Sequence, residues 1–268
     1  MSRLAQKFTE LKTRGGRGFI PFITAGDPDL RTSTEIAITL ADLGADVLEL
    51  GVPFSDPMAD GPTIQRSSMR ALERGTDLGG VLEIASQIRS NTEMPLVLFT
   101  YYNPLLRFGV DELCGHSHAI DGVLLTDVIG DEARDIAARL ARSGIDLISL
   151  IAPTTSDKRL ESICANARGF IYAVSRAGVT GARPDTAHQA ESLVQRIREF
   201  TDLPIAVGFG ISTAEQIADV WRYADAAVVG SAIVAEIEKV GASGNAPQAV
   251  ETFVKRLLPQ VAKTGSEN

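Results

Sequence analysis

Leu48-Glu-Leu-Gly-Val-Pro-Phe-Ser-Asp-Pro-Met-Ala-Asp-Gly-Pro-Thr-Ile-Gln65 reads as a buried strand that breaks into a loop and enters a helix. Glu49 interrupts an apolar run between Leu48 and Leu50. Side chains alternate along a strand, so if the two leucines face a helix layer, Glu49 points the other way, into the interior. A poorly solvated carboxylate there has a raised pKa and exchanges protons near neutrality. The alternative is a Glu neutralised by a buried base, but no Lys or Arg lies in the neighbouring strand cores. Asp60 stands among Pro53, Pro57, Gly61 and Pro62, which hold a loop in one shape at low entropic cost. Glu49 and Asp60 read as an acid/base pair in different environments, with the rest of the chain bringing a phosphorylated substrate between them. Asp60, like Asp56 nearby, equally suits a turn or helix cap.

The same strand–loop–helix unit recurs on either side of this stretch. Leu4, Phe8 and Leu11 predict a lead-in helix over 2–14. Strands follow at 18–24, 46–51, 95–101, 121–126, 146–151, 169–174, 204–208 and 225–230. Helices are expected near 62–73, 77–90, 110–117, 131–143, 156–167, 187–200, 213–222, from Ser231, and over 246–262. Another, carrying Ile36, Leu40 and Leu43, closes at Gly44. Residues 103–109 read as a loop, and 264–268 as a disordered tail. The strands are apolar on both faces, as in a parallel sheet covered by helices. Asp46, Asp121, Asp146 and Asp225 each stand at a strand start, a weak internal repeat. Eight units match a (β/α)8 barrel with an extra N-terminal helix. No Gly-x-Gly-x-x-Gly follows the first strand, and no linker divides residues 1–268, so one domain is expected.

Composition narrows the function classes. The chain has 268 residues, 44% hydrophobic, with a formal net charge of -8, which argues against nucleic-acid and anionic-membrane partners. Cys114 and Cys164 read as reduced thiols in a cytoplasmic protein. His116 and His118 lack a nearby third ligand, so no metal site is expected. The N-terminus has no apolar signal core, and no segment is long enough to span a membrane.

An anionic substrate then needs a local site. Gly208-Phe-Gly-Ile-Ser212 follows the seventh strand, and Gly230-Ser231 follows the eighth and opens a helix. Glycines let backbone N–H groups approach a phosphate, and a helix N-terminus adds partial positive charge. Barrels commonly bind phosphate at these two loops; alternatively the glycines only make tight turns. Gly178 to Gly181 offers a further donor. Phe22, Phe99, Tyr101, Tyr172 and Phe209 lie at strand ends, as core or as a slot for an aromatic ring. Loops 53–62 and 175–186 are candidate lids.

The stretch Glu49 to Gln65 closely resembles the signature of the tryptophan synthase alpha chain family. Phe19-Ile-Pro-Phe-Ile-Thr-Ala-Gly-Asp-Pro28, Tyr101-Tyr-Asn-Pro104, Ser175-Arg-Ala-Gly-Val-Thr-Gly181, Gly208-Phe-Gly-Ile-Ser212 and Val229-Gly-Ser-Ala-Ile-Val234 resemble it in the same order. The resemblance implies a lyase that cleaves indole-3-glycerol phosphate to indole and glyceraldehyde 3-phosphate. It implies Glu49 as acid/base and Asp60 as the partner of the indole N–H. Phosphate contacts carry over to Gly181, Gly210, Gly230 and Ser231. Tyr172 matches a substrate-pocket tyrosine and Thr180 the lid residue that orders Asp60, while Phe22, Tyr101 and Phe209 are expected in the substrate pocket from their strand-end positions. It also implies a beta chain that receives the indole in an α2β2 assembly and carries the PLP, leaving this chain without a cofactor. Two positions depart from the family pattern: no proline follows Asp127, and Phe99 replaces a smaller residue. A free-standing indole-3-glycerol phosphate lyase and a catalytically silent phosphate-binding subunit are the competing readings.

Overall fold

The computed structural model describes residues 1–128, 130–174, 185–208, 210–241 and 244–258, without the side chains of residues 131 and 185–188. The chain starts with α1 (Arg3–Thr13), β1 (Gly18–Thr24), α2 (Leu30–Asp42) and β2 (Leu48–Gly51). It continues through α3 (Pro62–Glu73), α4 (Leu78–Arg89), β3 (Leu96–Thr100), α5 (Tyr102–Phe108), α6 (Val110–Cys114) and β4 (Gly122–Leu125). A 3-10 turn (Gly130–Ala133) leads to α7 (Arg134–Arg142), β5 (Asp146–Ile151), α8 (Asp157–Asn166) and β6 (Ile171–Val174). The last elements are α9 (Asp185–Arg198), β7 (Ile205–Gly208), α10 (Ala214–Val220), β8 (Ala226–Val229), α11 (Ser231–Val240) and α12 (Ala246–Leu257). Each strand pairs in parallel with the next, and β8 closes on β1, giving a (β/α)8 barrel.

Strand alternation divides the core into two clusters. Leu48, Leu50 and Leu98 pack outward with Ile36, Leu40 and Ile84 of the helix layer. Val47, Val97, Leu124, Ile148, Tyr172 and Val228 fill the inside. The N-terminal helix belongs to the inner cluster: its Leu4, Phe8 and Leu11 join it, and Phe8 meets Phe170 with ring centroids 5.5 Å apart. Ser2 caps α1 and donates to Asp146 at 2.6 Å. The extra helix therefore covers the N-terminal end of the barrel and leaves the opposite rim for the site.

The aspartate repeat has a physical cause. The backbone N–H of Asp46, Asp121 and Asp225 donates to the carbonyl of Phe19, Leu96 and Ile205 on the preceding strand. Each aspartate's carboxylate then accepts the N–H of that same residue, at 2.8–2.9 Å. This two-point grip sets strand register where the barrel begins. Asp146 instead meets Ser2 and Arg168.

Two expectations need correction. Residues 103–109 are not an open loop, because Tyr102–Phe108 forms α5. Pro104 falls in the first helical turn, where its missing N–H has no intrahelical acceptor to lose. The Asp127 carboxylate also accepts the Tyr102 N–H at 2.8 Å, holding the start of this helix. The helix expected over 131–143 opens as a 3-10 turn, and only Arg134–Arg142 is α-helical. The tail 264–268 lies outside the described residues. Among the described residues no helix is long and apolar enough to cross a membrane.

Candidate active site

Glu49 occupies the middle of β2, in register with Phe22 on β1 and Val97 on β3. Its neighbours Leu48 and Leu50 belong to the outer cluster, so its side chain takes the interior face. The residue is 1% exposed, and among the described residues neither carboxylate oxygen has a hydrogen-bond partner. Burial pushes its pKa up to about 8. A buried ion without a partner is costly, so the neutral acid is the resting form.

Glu49 lines a cavity of about 350 Å³ at the C-terminal rim. Asp60 lines it too, brought there by the loop between β2 and α3. Its Oδ2 accepts from the Tyr101 hydroxyl at 3.1 Å, and that hydroxyl accepts the Ala59 N–H at 2.9 Å. Burial raises the Asp60 pKa to about 6, with the Tyr101 hydrogen bond pulling the other way. The two carboxyls thus straddle neutral pH, one mostly protonated and one mostly ionised.

Aromatic rings form one wall. Phe22 meets Phe99 edge-on at 5.3 Å and 79°, and Phe99 meets Tyr172 at 6.4 Å and 67°. Two glycines make this wall possible. A Cβ on Gly51 would stand 2.4 Å from the Phe22 ring, and one on Gly208 would stand 2.0 Å from the Tyr172 hydroxyl. Burial, with the charges of Glu49 and Asp60, holds the Tyr172 hydroxyl well above its ordinary pKa. Offset and edge-on rings of this kind suit a flat aromatic ligand.

The other end suits an anion. Gly210, Ser212, Gly230 and Ser231 line the same cavity, and Ser231 opens α11, whose N-terminus no described side chain caps. The first N–H groups of a helix lack intrahelical acceptors and carry partial positive charge, which favours a phosphate. Gly210 adopts φ +79°, a left-handed conformation that favours glycine.

Of the residues singled out in the sequence, Phe22, Glu49, Asp60, Tyr172, Gly210, Gly230 and Ser231 meet around this one cavity. Tyr101 is not among the described cavity-lining residues; it stands behind Asp60 and holds that carboxylate. Thr180, Gly181 and Phe209 lie outside the described residues. Asp56 pairs with Ser55 and lines a separate cleft. His116 and His118 stack at 6.1 Å beside Phe108, away from the cavity, and no three-ligand metal cluster occurs among the described residues. Sequence reading passed over Thr63 and Ile64 in the first turn of α3, and Val228 on β8. Val228 had a signal, because it lies two residues before Gly230 and shares its inward face.

Comparison with known proteins agrees with this geometry. The family model for the tryptophan synthase alpha chain matches residues 8–263. The tryptophan synthase alpha chain of Geobacter sulfurreducens is 47% identical over 96% of this chain and 98% of its own. That of Solibacter usitatus is 45% identical over 96% and 97%. The crystal structure of the alpha subunit from Legionella pneumophila superposes with a TM-score of 0.87 at 35% identity, covering 96% of this chain and 97% of that one. A chain from the tryptophan synthase α2β2 complex of Pyrococcus furiosus gives 0.83 at 37% identity, covering 90% and 97%. The family match over residues 8–263 and the shared barrel together establish that this chain belongs to the tryptophan synthase alpha chain family.

Proposed function

We propose that this chain is the alpha subunit of a two-chain tryptophan synthase, a lyase that cleaves indole-3-glycerol phosphate to indole and glyceraldehyde 3-phosphate. The observation that carries the residue assignment is Glu49, a buried carboxyl with no partner for either oxygen among the described residues, at the wall of a ligand-sized cavity. The substrate's indole lies along Phe22, Phe99 and Tyr172, and its phosphate takes the N-terminus of α11.

The steps follow from the two pKa values. Protonated Glu49 donates its proton to indole C3, and positive charge develops on the ring nitrogen. Ionised Asp60 stabilises that charge. Glu49, now a carboxylate, accepts the proton of the side-chain hydroxyl. The C–C bond breaks, its electron pair restores the indole, and the hydroxyl carbon becomes the aldehyde. No net proton is gained or lost. Activity needs Asp60 ionised and Glu49 protonated, so the rate rises with pH through about 6 and falls through about 8.

A beta chain receives the indole. The rim beside Asp60 suits a partner: Met58 is 95% exposed, Leu106 on α5 is 56% exposed, and a cleft of about 460 Å³ separates residues 52–56 from α5. Exposed apolar side chains on a rim support docking. Cys114 and Cys164 are free thiols, consistent with a cytoplasmic protein. The test is indole release from indole-3-glycerol phosphate by wild type and Glu49→Gln, with and without a beta chain. Full activity in the variant removes the assignment to Glu49. A wild-type rate unchanged by the beta chain favours the free-standing lyase.

A further inference from the structure

Helix α3 follows Asp60 directly and is docked unlike its neighbours. Among the described residues, every other helix of eight or more residues buries at least two aliphatic side chains. Helix α3 buries only Ser67, Ser68 and Ala71. Polar contacts hold it instead. Ser67 Oγ lies 2.6 Å from Thr24 Oγ1 at the end of β1. The Arg70 guanidinium grips Asp27 with two hydrogen bonds of 2.8 Å and reaches Glu238 on α11 at 2.9 Å. Arg66 takes the same Glu238 carboxylate at 2.6 and 2.7 Å. Asp27 is 1% exposed, so its paired guanidinium is required there. The Arg66 hydrogen bonds, then those of Arg70, hold the Glu238 carboxyl down to about 2.

These contacts join the two ends of the site. Glu238 stands two turns along α11 from Ser231. Pro62, Thr63 and Ile64, the first turn of α3, line the cavity. Gln65 Nε2 donates back to the Asp60 carbonyl at 2.9 Å. Arg66, Arg70, Asp27 and Glu238 are not among the cavity-lining residues, so they act on it through the helices they connect. Bidentate guanidinium–carboxylate pairs fix orientation as well as distance.

We propose that Arg70 and Arg66 form a positioning latch, which seats α3 on Asp27 and Glu238 and so fixes the Asp60 carboxylate relative to Glu49 and to the anion-binding end of α11. The latch rests on the reading of this cavity given above. A carboxylate that stabilises charge only once the bound ring is protonated affects kcat more than KM when displaced. A misplacement of about 1 Å costs up to about 100-fold in rate.

The test uses the full chain with Glu238→Gln, Arg66→Ala and Arg70→Ala, and Lys239→Ala as control, since Lys239 pairs with Glu236 on the exposed side of the same helix. Each latch variant is expected to lower kcat for indole release roughly tenfold, with KM within about threefold. Adding Arg66→Ala to Glu238→Gln should cost little further, because Arg66 acts through the carboxylate that the first change removes. A second readout does not need catalysis: amide exchange of residues 59–65 with and without glycerol 3-phosphate. In wild type the ligand should slow exchange at these residues and at the start of α11. In Glu238→Gln only the α11 protection should remain. That variant keeps Arg70 on Asp27, so the test survives if Arg70→Ala does not fold. Variants that melt earlier but keep wild-type kcat and protection overturn the latch, as does a wild type in which the ligand leaves 59–65 unprotected. A wild type that releases no indole overturns the parent reading instead, and the exchange arm still decides the latch.

Discussion

Removing the Tyr101 hydroxyl tests how Asp60 is kept ionised. In wild type that hydroxyl donates to Asp60 Oδ2 at 3.1 Å and accepts the Ala59 N–H at 2.9 Å. Tyr101→Phe deletes both contacts and keeps the ring beside Phe54, whose centroid is 5.2 Å away. A hydrogen bond to a charged group contributes about 1.5–3 kcal/mol. At 3.1 Å this one is long for its kind, so the lower end, about 1.5 kcal/mol or about one pKa unit, is appropriate. Asp60 starts at about 6 and should move to about 7 in the variant. Loss of a donor favours the neutral form, so the sign is upward. At pH 6 the ionised fraction then falls from about one half to about one tenth, a loss of about fivefold in rate, and near pH 8 the difference almost vanishes. The assay is kcat/KM for indole release across about pH 5.5–8.5, comparing variant and wild type. An acid limb that does not move, with a loss uniform in pH, would refute this reasoning and leave Tyr101 as packing alone.

Three further outcomes follow from particular contacts. Gly51→Ala places a Cβ 2.4 Å from the Phe22 ring, so the ring must swing into the cavity; KM should rise more than Tm falls, as steady-state kinetics and calorimetry would show. Ser231→Asp puts a carboxylate at the N-terminus of α11, where it stabilises the helix but occupies the anion site. KM should rise by about tenfold or more with Tm unchanged or higher. Phe8→Ala removes the ring that meets Phe170 inside the barrel and should cost about 3–5 kcal/mol in urea unfolding.

Much of the architecture was legible because it rests on local signals. Apolar strands at regular intervals, glycine closures and the amphipathic lead-in helix each carry their own periodicity. Glu49 was legible for the same reason, since alternation alone puts it opposite Leu48 and Leu50. Asp60 was not, because a loop aspartate that caps a turn looks the same as one that faces a cavity. Only the fold brings the Tyr101 hydroxyl to it across 41 residues of chain. Helix α5 was missed because Pro104 reads as a breaker unless the first turn is recognised, and its anchor, Asp127, lies 25 residues away. The polar docking of α3 also escaped notice, since Met69 and Leu72 suggest an apolar face, yet Met69 is exposed and Leu72 only half-buried.

The protonation state of Glu49 is the most direct measure of whether this buried carboxyl supplies the proton. Infrared difference spectra of wild type against Glu49→Gln isolate its carboxylic-acid C=O band. The band should be present at pH 7 and disappear as pH rises through about 8. A Glu49 already ionised at pH 6, with no such band, would contradict its role as the acid of the first step.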